Sequence, residues 1–372
     1  MPSRKATIET IVIKDLPVRY FEKDEAIFFC LTDIARSADT STDVVMQSYL
    51  KNANNIEFLS KWEEMHNPDF NKLTAEGVVL GRKLYYDKIL STNNRSCSSC
   101  HRPQYGYSMP FMGPIGTSIL PHVNLGWYNK LGWFGADDHL DDVALADLAE
   151  GNPFLAASTD SINNRLAAHL EYQELFWKAF GINITQQTDS ARNKYISYAL
   201  AQFLRTMVSN NAKFDKFLRG EISLTPQELN GYNIFMAEDK ADCFHCHGNA
   251  ANPLWTDLEY HNNALNATFT GVDLGRFNVT NNPNDIGKFK TPTLRNIALT
   301  APYMHDNRYA TLEEVIDFYS HGLQQSDYVD PLMQKIGQGG AQLNAADKAD
   351  LIAFLKTLTD STFITNPNFQ AP

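Results

Sequence analysis

The sequence predicts a mainly α-helical protein of two similar lobes, preceded by a small α+β module. Two observations carry this expectation. A diverged internal repeat twice places a helix-forming stretch ahead of a Cys-x-x-Cys-His motif, at residues 97–101 and 243–247. The first 71 residues follow another pattern, with short β-branched and apolar runs that read as strands.

The 372 residues are 43% hydrophobic and 20% charged, as in ordinary globular chains, which excludes disordered and collagen-like classes. No run of about 18 apolar residues is present, so no membrane-spanning helix is expected. A net charge of −11 argues against a protein held on nucleic acid by phosphate charge.

In chain order, residues 7–13 and 26–31 predict a strand pair, and 43–50 and 56–65 predict amphipathic helices. Cys30, inside an apolar run, reads as a buried thiol acting as a small hydrophobe. The first 18 residues have basic side chains but neither an apolar core nor a small-residue cleavage site, so no secretory signal is expected. Leu73-Thr74-Ala75-Glu76 opens the first helical stretch toward Cys97. Thr225, Pro226 and Glu228 form a capping box for its counterpart toward Cys243. Thr311 and Glu314 cap a helix through Tyr319 that Gly322 ends; Asn344 caps the last helix, with Leu351, Phe354, Leu355 and Leu358 on one face. Residues 249–300, rich in Asn, Pro and Gly, predict a long functional loop. The expected domains are 1–71, 72–215 and 216–372, with the lobe boundary near 200–222.

Both Cys-x-x-Cys-His motifs fit covalent attachment of c-type haem. Two thiols on one helical turn add to the two porphyrin vinyl groups, and the following imidazole lies under the iron. Two covalent haems are therefore expected, one on Cys97, Cys100 and His101, the other on Cys243, Cys246 and His247. The competing reading is one tetrahedral metal with four thiolates. Against it, the pairs stand 146 residues apart and each carries its own histidine. His245, between two cysteines, is expected to point away from the iron. What binds the far side of each iron decides between chemistry and electron shuttling. Candidates are His122, His139, His169, His261, His305, His321, the methionines and a few tyrosines.

Residues 72–372 resemble the bacterial dihaem cytochrome c peroxidase family, including its MauG-type branch. The similarity runs through LTAEGVVLGRKLYYDKILS, SCSSCH, NLGW followed by Trp133, AQFLRTMVSNNAKFDKFLRGEISLTPQEL, DCFHCHG, DLGRF, GKFKTPTLRNIALTAPYMHD and DLIAFLKTLTD. It implies two c-type cytochrome lobes, with hydrogen peroxide reduced at the haem on His101. Electrons would come from a small cytochrome c or cupredoxin through the haem on His247. It also implies Tyr319 as far-side ligand of the second haem, where most peroxidases have Met, and Trp133 as the relay between haems. A phenolate favours ferric iron and lowers the potential. A calcium ion on the backbone carbonyls of Thr300 and Pro302, a homodimer and a periplasmic location are further implications.

The departures concern the first lobe. Gly116-Thr117-Ser118-Ile119-Leu120-Pro121 stands where the family has a calcium-binding Asn. Around the peroxide pocket, Val143, Asp147 and Leu155 stand for the family's Gln, Pro and distal Glu. That Glu moves the proton that splitting the O–O bond requires, which leucine cannot do. Glu150, Asp147, Asp141 and His139 are the substitutes within reach. Residues 1–71 resemble the leading part of a KilA-N domain, a DNA-associated module, but carry eight Lys/Arg against twelve Asp/Glu, no footprint for DNA. The expected function is a dihaem peroxidase. The alternatives are a dihaem electron-transfer protein without turnover and a DNA-associated protein.

Overall fold

Strands β1 (Ile8–Ile13), β2 (Leu16–Lys23) and β3 (Ala26–Phe29) form an antiparallel sheet in the order β1-β2-β3. A strand pair was expected; residues 16–23 add a middle strand that pairs Val18 with Ile11 and Phe21 with Phe28. These strands and residues 73–155 and 158–372 are described in this computed structural model. The expected helices at 43–50 and 56–65, and Cys30, lie outside the described residues. The chain divides into two units, Met1–Trp62 and Glu63–Pro372.

The second unit is helical. Its first part holds α1 (Ala75–Tyr86), α2 (Thr159–Ala168), α3 (Leu170–Phe180) and α4 (Asp189–Thr206). The Thr74 hydroxyl accepts from the Gly77 N–H at 3.0 Å and starts α1, whose Leu80 and Leu84, one turn apart, are fully buried. α1 lies so close on α4 that a Cβ on Gly81 would stand 1.9 Å from the Ala199 carbonyl oxygen. The second part, α5 (Lys213–Leu218), α6 (Pro226–Met236), α7 (Leu312–His321), α8 (Ala345–Lys356) and α9 (Ser361–Ile364), repeats this solution. There a Cβ on Gly231 of α6 would stand 1.9 Å from the Asp350 carbonyl oxygen of α8. Both capping boxes form as expected, at Thr225/Glu228 and Thr311/Glu314. Asn344 caps α8, but α8 is not the last helix: Asp360 accepts from the Phe363 N–H at 3.1 Å and opens α9.

One apolar core gathers Leu80, Leu84, Phe203 and their neighbours, and a second gathers Phe214, Phe235, Trp255 and Phe354. The C-terminal tail crosses back to the first: the Phe363 ring meets Tyr107 at 5.1 Å, and Arg82 donates to the Gln370 carbonyl at 2.8 Å. Asp360 pins the junction, accepting from the Ser209 hydroxyl and the Asn210 and Asn211 N–H groups at 2.9–3.0 Å. Among the described residues no helix is long and apolar enough to cross a membrane.

Asp141 is an ion-pair partner rather than a free acid. Arg205 of α4 reaches it at 2.8 Å, with the two side chains 1% and 3% exposed. Asp141→Ala leaves that guanidinium buried without its countercharge, so a loss of about 3–5 kcal/mol is expected in chemical denaturation. A loss under 1 kcal/mol would show the pair to be dispensable.

A candidate two-haem site

Each Cys-x-x-Cys-His motif forms a single helical turn, Cys97–Cys100 and Phe244–His247 with Cys243 as its cap. In both, the histidine N–H closes on the first cysteine's carbonyl at 3.0 Å, which brings thiols and imidazole to one turn. The ring of His101 places Nδ1 3.0 Å from the Tyr107 carbonyl, and that of His247 places Nδ1 3.3 Å from the Trp255 carbonyl. A carbonyl on Nδ1 fixes the tautomer that keeps the Nε2 lone pair for a metal. Burial lowers both imidazoles to about 4, so both are neutral, as an iron ligand must be. Burial likewise pushes the Cys97, Cys243 and Cys246 thiols up to about 12, with the charges of Asp147, Asp242 and Asp257 adding to it.

The single four-thiolate metal site is not formed. Among the described residues, no cluster of metal-ligating atoms joins the two cysteine pairs; Cys246 instead lies with Asp257 and His261. His245 is bound to Asp242 at 2.7 Å, as suits a residue turned from the iron.

The second motif opens on a largely apolar cavity that Cys243, Cys246, His247, Met304 and Tyr319 line together, with Trp133. Tyr319 sits on the last turns of α7. Burial raises its phenol well above the ordinary range, the Asn263 amide bond at 3.0 Å lowers it, and Cys246 and Cys243 raise it further. Other candidates are engaged elsewhere. His261 has both ring nitrogens on carboxylates, Asp257 at 2.8 Å and Asp330 at 2.7 Å. His305 bonds Asp273 at 2.8 Å, and His139, His169 and His321 are exposed. His122 stacks face to face on His101 at 3.4 Å and 12°, whereas two imidazoles sharing an iron present nitrogens across it.

Trp133 donates its indole N–H to the Ser118 carbonyl at 2.9 Å and meets Phe289 edge-on at 6.2 Å. The segment carrying Ser118 lines the second cavity, and its Leu120 carbonyl faces the His101 imidazole. Trp133 is thus tied to a wall that touches both motifs.

Residues 75–223 match the family described as di-haem cytochrome c peroxidase. The methylamine utilization protein MauG of Methylorubrum extorquens is 32% identical over 309 residues, 80% of this chain and 82% of its own length. The cytochrome c551 peroxidase of Nitrosomonas europaea is 32% identical over 314 residues, 80% of this chain and 83% of its own. The chain belongs to the di-haem cytochrome c peroxidase family. The solved structure of a MauG-like protein associated with microbial copper homeostasis superposes with a TM-score of 0.72 at 34% identity, covering 81% of this chain and 94% of the other. The diheme peroxidase BthA of Burkholderia thailandensis, 20% identical, shares the fold with a TM-score of 0.66 over 80% of this chain and 90% of its own. Membership brings two covalently bound c-type haems; the motif turns and neutral imidazoles fit both, and the apolar cavity fits the second. The comparisons lend no support to the KilA-N-like reading of residues 1–71.

Around the first motif, the residues expected at the peroxide pocket are placed as follows. Leu155 is 6% exposed and built into the first apolar core, and Val143 packs against that core. His139 and Glu150 are exposed. Asp147 differs: burial, with the charge of Asp137 added, raises its carboxyl to about 6, and its charge acts on both Cys97 and Cys100. Thr300 and Pro302 line the second cavity. Sequence reasoning missed Asn263, one polar residue in an Asn-rich loop with no spacing to single it out.

Proposed function

We propose that this chain reduces hydrogen peroxide to water, taking two electrons and two protons per peroxide from a small redox protein and solvent. The observation that carries this reading is the pair of neutral, carbonyl-anchored histidines, with Trp133 held on the wall between them. In this reading residues 72–215 and 216–372 are the two haem lobes. The haems, when bound, would supply the redox chemistry, with the lobe of His101 as the peroxide side. Cys97, Cys100, Cys243 and Cys246 attach them, and His101 and His247 hold the irons through Nε2. Tyr319 would be a further ligand of the second, and Trp133 would carry electrons between the lobes. Asp147 holds and returns the proton that must move between the peroxide oxygens, the task of the missing glutamate. Because covalent attachment of c-type haem is completed outside the cytoplasmic membrane, the working location is the periplasm. Thr300 and Pro302 remain the calcium positions of this reading, through carbonyl oxygens that suit a hard cation.

The test is donor-dependent loss of peroxide by haem-loaded protein. Tyr319→Phe is expected to change the absorption and electron paramagnetic resonance spectra of the second haem; unchanged spectra would reject Tyr319 as ligand. The burial of Leu155 in the first core favours a second reading, electron transfer without peroxide turnover. Haem-loaded protein that passes electrons yet leaves peroxide intact would establish it.

A further inference from the structure

The second cavity holds two potential far-side ligands rather than one. The Asn263 Nδ2 stands 3.0 Å from the Tyr319 hydroxyl oxygen and 3.8 Å from the Met304 sulfur. A single amide nitrogen, with two N–H groups, thus touches both the hard oxygen and the soft thioether that line the wall.

We propose that Asn263 is the positioning residue that makes Tyr319, rather than Met304, the far-side ligand of the second haem. The inference rests on the reading of Tyr319 as that ligand. An N–H donated to an anionic oxygen is roughly twice as strong as one between neutral groups, so the amide favours the ligating phenolate. The same nitrogen at the thioether meets only a weak acceptor, so it stabilises the phenolate far more than the sulfur.

The amide is held in place to do this. Asn263 follows the two-residue strand Tyr260–His261, which pairs with Phe289–Lys290. His261 is clamped by Asp257 and Asp330. On the other side, the Ala264 carbonyl accepts from the Gln324 N–H at 2.8 Å, and the Asn262 carbonyl from the Asp330 N–H at 3.0 Å. Met304, at a backbone φ of 70°, lines the same cavity as Tyr319.

The test uses full-length, haem-loaded protein. Asn263→Leu keeps the branched shape and the number of heavy atoms and removes both N–H groups. The reduction potential of the second haem is expected to rise by more than about 59 mV, tenfold in a one-electron equilibrium. The thioether-to-ferric-iron charge-transfer band should appear at the same time. Asn263→Leu combined with Met304→Leu should lack that band, and Asn263→Gln, which restores a donor, should return the potential toward its starting value. If Asn263→Leu misfolds, judged by haem content and circular dichroism, Asn263→Ala reads the same two quantities. An unchanged potential and spectrum in folded Asn263→Leu or Asn263→Ala would overturn the proposal. Tyr319→Phe, run alongside, keeps the two failures apart. If it leaves the spectrum unchanged, the ligand reading itself fails; if it changes the spectrum while the Asn263 variants do not, only the role of Asn263 fails.

Discussion

With Cys97 and Cys100 both replaced by serine, the denatured chain is expected to show one covalent haem by pyridine haemochrome absorbance instead of two. Peroxide reduction should fall to the rate of free haem peptide. The cause is local: these thiols stand on the one turn that also presents His101, and serine hydroxyls cannot form thioethers with the vinyl groups. The variant keeps the neutral, carbonyl-anchored His101, so any effect on turnover traces to lost attachment rather than a lost ligand. Retention of two covalent haems would mean that attachment occurs elsewhere on the chain.

Asp147→Asn is expected to act in opposite directions on turnover and on stability. Burial first, and the charge of Asp137 second, hold the Asp147 carboxyl at about 6 in the folded protein, against an ordinary value of 3.8. The folded chain therefore binds this proton more tightly than the unfolded chain does. The corresponding stability is fully present below about pH 4 and is lost as pH rises through about 6. At pH 7 the ionised, buried group costs about 3 kcal/mol. Asparagine removes the cost, so the variant should unfold at higher temperature than the parent at pH 7, with the gap closing below pH 4. Turnover should fall by about 100-fold or more, the usual worth of a positioned acid–base group. The parent's rate should rise with pH through about 6, as the carboxylate becomes able to accept the proton, and the variant should lack that limb. A stabilised variant with undiminished turnover would remove Asp147 from the chemistry and return the question to the apolar Leu155 wall.

Much of the helical frame was legible because its signals are local. Thr74, Thr225, Thr311 and Asn344 each satisfy N–H groups within the next turn, and such contacts need no knowledge of the rest of the fold. The motif turns were legible for the same reason. What escaped was set by long-range packing. Nothing near Phe363 or Phe369 announces that the tail returns to the first core, and α9 is too short for its periodicity to show. The middle strand at 16–23 mixes Pro, Arg, Glu and Lys with its apolar residues, so its alternation was weak. In the site, Asp141 and Asp147 looked alike as acidic residues six apart. Only the fold pairs one with a buried arginine and raises the carboxyl of the other by burial and the charge of Asp137. The pairing of Asn263 with Tyr319 and Met304 joins segments 41 and 56 residues apart, beyond the reach of any spacing rule.

The most direct test of the account is the initial rate and electron count of peroxide reduction by protein carrying both covalent haems, with a reduced small cytochrome as donor. Two donor molecules should be oxidised per peroxide consumed, at a rate well above that of haem peptide at equal haem concentration. A rate no higher than haem peptide, in protein with two haems confirmed, would contradict it and leave a scaffold that moves electrons without reducing peroxide.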